Sequence, residues 1–223
     1  MNAGVRPLVL GRLGPLVLTD SLAVSVAISV LLIVGAIVLM RFDAARRTLE
    51  AIYEALERSI ADSVQVDSRA LVPLVLTLWA FLLVANLAGL VPTVLSPTRD
   101  LSITVALALI AFVAGHAYAF AVEGVGYLRR YLEPNPLMLP FNVIAELTRT
   151  LALALRLFGN MLSGHLVGAI AVYLAGALVP VPLLLLGVLT GVVQAYIFGV
   201  LTLVFTASSM QVGSRSSTRR RAA

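Results

Sequence analysis

The 223-residue sequence has no cysteine and no lysine, and few charges of any kind. Without cysteine there is no disulfide and no thiolate metal site. Charged residues make up 12% of the chain, about half the quarter typical of soluble domains. A solvated surface wrapped around one buried core does not need so few. The absence of lysine leaves arginine to carry all 16 basic charges. Also missing are a glycine-rich phosphate loop, a cluster of metal ligands and a nucleophile motif. The chain is therefore not expected to catalyse a reaction alone, and neither cofactor nor metal is expected. What it does have is apolar length: 60% of residues are hydrophobic and mean hydropathy is +1.02.

The apolar residues fall into five runs, near 22–40, 71–91, 101–122, 141–179 and 183–208. Each is long enough to cross a bilayer, which takes about 20 residues. The fold class expected is all-α: a polytopic membrane protein with about five membrane helices. Residues 1–20, with Arg6, Arg12 and two prolines, read as an extramembrane leader. A signal peptide fits less well, because the run after it is too long for an h-region and meets Arg41 without a small-residue cleavage site. Residues 21–210 form a single membrane domain, and 211–223 a basic tail. Between Arg41 and Arg69, Leu49, Ile52, Tyr53, Leu56 and Ile60 recur at helical spacing among Glu50, Glu54, Glu57 and Arg58. That pattern predicts an amphipathic helix on the membrane surface.

The isoelectric point near 10.2 raises the question of nucleic acid, but the arginines sit at the ends of apolar runs and form no patch. They report topology instead. With five spans, the 41–69 loop, the 123–139 loop and the tail share one side, holding five, two and four arginines, eleven in all. The opposite side holds Arg6, Arg12 and Arg99. The arginine-rich side is expected to be cytoplasmic, with the N-terminus outside, at the inner (plasma) membrane of a bacterium.

The fourth run is too long for a simple crossing. Its 39 residues would make a helix of roughly 58 Å against a hydrocarbon core of about 30 Å. Gly159 and Gly164 offer places to break, but glycine is tolerated in membrane helices. A long, steeply tilted helix is preferred. Deep within it stands Arg156, a side chain that keeps its charge at any biological pH and costs about 2.5–3.5 kcal/mol at the centre of a membrane helix on insertion scales. With Arg156 at zero, Arg149 falls at about 20°, Asn160 at about 40°, Glu146 at about 80° and His165 at about 180°. Glu146 and His165 thus lie on either side of Arg156 along the axis and on different faces. Two polar sites flanking a fixed positive charge point to two separate aqueous half-paths.

Leu155-Arg156-Leu157-Phe158-Gly159-Asn160-Met161 resembles the signature of subunit a of F-type ATP synthases. So do Asn86-Leu-Ala-Gly-Leu-Val-Pro92 and Gln194-Ala-Tyr-Ile-Phe198. Order and spacing agree, and the similarity spans about residues 20–210. The resemblance implies a membrane stator: a steeply tilted helix pair facing a rotating ring of c subunits, each with one ionisable carboxylate. Ions reach and leave the ring through two offset half-channels, which Arg156 separates. It also implies b subunits and other synthase subunits as partners, besides membrane lipid, and protons as the transported ion. A sodium-translocating or ATP-driven pump of the same family is the alternative. A stand-alone secondary transporter would be expected to show internal repeats, and none is evident.

The resemblance assigns Gln194 to a position near the arginine, where a hydrogen bond would orient it; ordinary interhelical polar packing is the plainer alternative. Asn160 lines the arginine face or serves as helix–helix glue. Glu146 lines the cytoplasmic half-channel or merely pairs with Arg149 at i,i+3, and Arg149 itself is expected to snorkel or pair. His165 stands where relatives carry Glu or His, with an unperturbed pKa of about 6.5 suited to proton relay. A second relay position, seven residues before the glutamine, is here Gly187. His116 is read as a packing or channel-rim residue, and Asn86 as a secondary site residue within its motif.

Overall fold

A computed structural model of the chain describes residues 9–13, 16–63, 71–89, 96–124, 127, 136–175 and 180–221. The first described residues form an antiparallel hairpin, β1 (Val9–Leu13) and β2 (Leu16–Thr19). The regular elements after it among the described residues are helices: α1 (Asp20–Leu39), α2 (Asp43–Ser63), α3 (Leu71–Ala88), α4 (Leu101–Glu123), α5 (Leu139–Ala175) and α6 (Pro180–Arg221). Single 3-10 turns precede α4 (Pro97–Arg99) and α5 (Pro136–Met138). The architecture is the all-α polytopic one expected. Four helices have the length and apolarity to cross a bilayer, and α3 is a slightly shorter apolar helix.

Local chemistry sets the ends. Thr19 caps α1, its hydroxyl accepting the Leu22 N–H at 3.3 Å. Asp100 caps α4, its carboxylate accepting the Ser102 N–H at 3.0 Å. Gly124 ends α4 with φ of 60°, the one positive φ among the described residues, in a region that β-carbons disfavour. Serines inside the apolar α1 return their hydroxyls to the helix: Ser25 donates to the Ser21 carbonyl and Ser29 to that of Ser25, so neither leaves a bare polar group in an apolar medium.

α6 begins at Pro180, three residues before the expected run at 183, so that Pro180 and Pro182 fall in its first turn, where a residue needs no N–H partner. No proline follows, and α6 runs on to Arg221 where a separate tail was expected from residue 211. The expected ends of the second and fourth runs, at residues 91 and 179, lie outside the described residues. α5 is unbroken through Gly159 and Gly164. Its 37 residues make a rod of roughly 55 Å, too long to cross about 30 Å of hydrocarbon upright.

The core is where α3, α4, α5 and α6 meet, built on Leu78, Leu82, Leu107, Ala111, Leu157 and Phe198. Its residues at close contacts are small. A Cβ on Gly199 would touch Val75 at 3.5 Å, and one on Gly191 would meet the Asn86 Cβ at 3.2 Å. Small residues let membrane helices approach where no hydrophobic effect drives them together. By contrast α1 is peripheral: it meets α3, the 97–99 turn and β2 and buries only Ser21 and Ile28. The amphipathic α2 carries two i,i+4 ion pairs, Arg46–Glu50 at 2.8 Å and Arg58–Glu54 at 3.0 Å.

Candidate functional site

Arg156 lies on the exposed side of α5, between Leu151 and Leu155 on one hand and the buried Leu157 on the other. It makes no hydrogen bond or ion pair among the described residues. Around it the outer faces of α5 and α6 are apolar and uncovered, with Leu147, Leu166, Leu189, Val193 and Tyr196 all exposed. A guanidinium fixed in an apolar face is stable only with a counter-charge or water at hand.

Two cavities open inside the bundle, one toward each end. The smaller, about 30 Å³, is bounded by Gly115 and His116 at the end of α4, Glu146, Arg149 and Thr150 near the start of α5, and Thr202 of α6. Glu146 and Arg149 form an ion pair at 3.6 Å, the local pairing considered from the sequence, yet both also line this cavity. His116 is placed by its own helix and by aromatic rings. Its Nδ1 lies 2.9 Å from the Phe112 carbonyl, and it stacks at 4.0 Å on Phe112 and edge-on at 5.8 Å against the buried Tyr127. It both packs on these rings and borders the cavity.

The larger cavity, about 90 Å³, lies at the other end. Asn86 and Gly89 of α3, Asn160, Gly164 and His165 of α5, and Gly187 and Thr190 of α6 line it. Spaces of these sizes hold from about two waters to a handful, and both are polar enough to retain them. Asn160 and His165, about 140° apart on an ideal helix, share this cavity because α3 and α6 close over the groove between them. The Asn160 side chain is 3.5 Å from the Thr190 carbonyl, a bond to α6. Gly187, in the position where a second relay group was looked for, contributes space instead of a side chain.

Asn86 is the best-fixed polar group of the site. Its Nδ2 donates to the Gly191 carbonyl of α6 at 2.9 Å, and its Oδ1 accepts from Thr98 Oγ1 at 3.0 Å. Thr98 is 2.7 Å from Ser96 Oγ, which donates to the Ala85 carbonyl at 2.9 Å. All of these side chains are buried. The network ties α3, α6 and the turn before α4 together at the larger cavity. The sequence reading ranked Asn86 as secondary and did not single out Ser96, Thr98, Thr190 or Gly191. Only the motif around Asn86 marked this corner.

Gln194 departs from expectation. It is 6% exposed, and its Nε2 is buried with no hydrogen-bond partner among the described residues. The bond to Arg156 anticipated from the sequence is not formed, because Gln194 is packed inward while Arg156 stands outward. Two residues on, Tyr196 is exposed and meets Trp79 edge-on at 6.2 Å.

The geometry defines a class: a helical membrane protein with a recess lined in part by polar side chains toward each end of its bundle and, between them on an open apolar face, an arginine that makes no ion pair among the described residues. Comparison with known sequences narrows this. The ATP synthase A chain family matches over residues 18–207. The chain is 43% identical to ATP synthase subunit a 1 of Hahella chejuensis over 221 residues, which cover 97% of this chain and 94% of that one. It is 42% identical to ATP synthase subunit a 2 of Pelobacter propionicus over 206 residues, 90% of each chain. Against ATP synthase subunit a 2 of a Picosynechococcus strain, identity is 46% over 165 residues, 74% of this chain and 71% of that relative. The chain belongs to the ATP synthase A chain family.

Proposed function

We propose that this chain is the membrane stator of a rotary ATP synthase, carrying ions between two offset half-channels and the carboxylates of a c-ring. The observation that carries this is the placement of two cavities bearing polar side chains toward opposite ends of the bundle, with an outward-facing Arg156 between them that makes no ion pair among the described residues. Along α5, Arg156 is about 15 Å from Glu146 and about 13.5 Å from His165. The arginine favours the ionised form of a ring carboxylate that comes to face it. It therefore strips the cation from each arriving site and keeps either cavity from leaking into the other. Membrane potential supplies about 2.3 kcal/mol per charge per 100 mV. The exposed apolar faces of α5 and α6 are the surface offered to the ring. The unpartnered Gln194 amide is a donor held in reserve for the assembled state.

In this reading Glu146, Arg149 and His116 line the cytoplasmic half-channel, and His165, Asn160 and Asn86 the outer one. The arginine count places the N-terminus outside and the C-terminus in the cytoplasm. The chain is a non-catalytic part of the complex, and ATP chemistry belongs to other subunits.

The test is ATP-driven pumping by inverted membrane vesicles carrying the whole complex, wild type against Arg156→Ala, with and without sodium. With assembly intact, the variant is expected to lose pumping by more than about tenfold, since the interaction removed is worth more than one factor of ten. Normal pumping by an assembled variant would sink the proposal. A sodium requirement in the wild type would assign sodium as the ion; indifference to it would assign the proton.

A further inference from the structure

The two cavities differ in the proton-exchanging groups they hold. Among the described residues lining the larger one, His165 alone titrates, and Gly187 adds no second group. The smaller is lined by two, His116 and Glu146, beside the permanently charged Arg149. These two come from helices packed on one another, α4 and α5, at matching depth. His116 lies seven residues before the end of α4 at Glu123, and Glu146 seven residues after the start of α5 at Leu139; each is about 10 Å along its helix. The space they line, about 30 Å³, takes about two waters, enough to carry a proton from one group to the other. The imidazole is set for this. Its Nδ1 lies 2.9 Å from the Phe112 carbonyl. A carbonyl only accepts, so Nδ1 is the donor and proton exchange falls to Nε2. The Phe112 and Tyr127 rings hold the imidazole in that orientation. The titratable and charged groups around it are Glu146 and Arg149 of α5 and the Tyr127 phenol beyond α4, while α6 contributes the uncharged Thr202.

Resting on the half-channel reading, we infer that His116 is a proton-relay residue of the smaller cavity, working in series with Glu146. In the pumping direction Nε2 takes a proton from the cytoplasmic bath. The Nε2–H bond then breaks as a cavity water takes that proton, and the water passes one of its own to the Glu146 carboxylate, forming an O–H bond there. The proton goes on to the ring carboxylate, which leaves Glu146 ionised and His116 neutral again. Synthesis runs the same steps backwards. Arg149 keeps its charge throughout and holds the carboxylate in place. Glu146 follows His116 in this order because it stands on the helix that carries Arg156, ten residues before it. A packing role for His116, filling space beside Phe112 and Tyr127, is the competing explanation. The two separate on pH. A packing defect is the same at every pH, whereas a missing relay matters most where free protons are scarce.

The experiment uses inverted vesicles carrying the whole complex, in which the smaller cavity faces the bath under the proposed topology. Initial rates of ATP-driven proton pumping are measured from about pH 5 to about pH 8, the range in which histidine changes charge. The ratio of variant to wild type at each pH cancels the effect of pH on ATP chemistry in the other subunits. His116→Phe keeps an aromatic ring in the stack but exchanges no proton. Its ratio is expected to be closest to one at the acid end and to fall to about one-tenth at the alkaline end. That is less than the roughly hundredfold or more of a general acid–base group, because Glu146 still takes protons directly from water. In a Glu146→Gln background the same substitution is expected to cause no further loss. A ratio that does not vary with pH, or an equal added loss in the Glu146→Gln background, overturns the inference. Should His116→Phe fail to assemble, His116→Gln carries the same comparison with the same outcomes. A sodium requirement in the wild type overturns the relay yet leaves the half-channel proposal standing. An assembled Arg156→Ala variant that still pumps brings down the half-channel proposal itself.

Discussion

The two cavities are built by opposite means. At the smaller one the polar groups hold one another locally: Glu146 and Arg149 are three residues apart on one helix, and His116 rests on the carbonyl of its own preceding turn. At the larger one, polarity is organised across the fold. Asn86 reaches Gly191, 105 residues away, and the hydroxyls of Thr98 and Ser96, 2.7 Å apart, carry the network on to the Ala85 carbonyl through the 96–98 segment. Its space comes from absent side chains, at Gly89, Gly164 and Gly187. A cavity of the first kind tolerates change one residue at a time, whereas in the second each residue depends on helices brought together from three parts of the chain.

That contrast can be broken or sharpened by substitution, and the steepest test is Gly89→Ala. The new Cβ would stand 2.6 Å from the Ser96 Cβ, closer than any real contact, so the turn must move. A destabilisation of about 1–3 kcal/mol is expected, read as a lowered melting temperature of the detergent-solubilised complex. Asn86→Leu should cost somewhat less, about 1 kcal/mol, since it strips two buried hydrogen bonds but keeps volume. The same melt reads it, together with reduced ion flux. Glu146→Gln should change stability by less than about 0.5 kcal/mol, the worth of a partly exposed helix pair, while still lowering ion flux in vesicles. A large loss of stability there would erase the distinction between the two cavities. Gly164→Ala should have the smallest effect on the isolated chain, because nothing lies within 4 Å of the added carbon; helix propensity favours it by up to about 1 kcal/mol. Reduced recovery of assembled complex from that variant would locate a partner against this side of α5.

Much of this was legible in the sequence because membrane helices announce themselves. Five apolar runs became α1 and α3–α6, and the period of Leu49, Ile52, Tyr53 and Leu56 became α2. The unbroken α5 followed from length and the absence of proline. The Glu146–Arg149 pair could be read because i,i+3 neighbours on a helix are close by construction. What could not be read were contacts between helices. Nothing in the one-dimensional pattern tells that Asn86 faces Gly191, that Asp20 meets Arg99, or that Gln194 packs inward instead of toward Arg156. Helical phase separated Asn160 from His165, yet the groove between α3, α5 and α6 joined them.

The continuity of α5 turns it into a ruler. From Glu146 to His165 is nineteen steps of one rigid helix, or about 28 Å of rise, close to the thickness of the hydrocarbon layer itself. Height and azimuth along such a rod are locked together. A single residue inserted between Arg156 and His165 would lift the histidine by about 1.5 Å and swing it by about 100°. The spacing of the two recesses is therefore quantised. It can be retuned by whole turns, or by bending the helix, but not by sliding one polar group a little along the axis. A sequence that keeps eight residues between its arginine and its histidine has fixed, in depth and in direction, where the imidazole stands relative to the guanidinium.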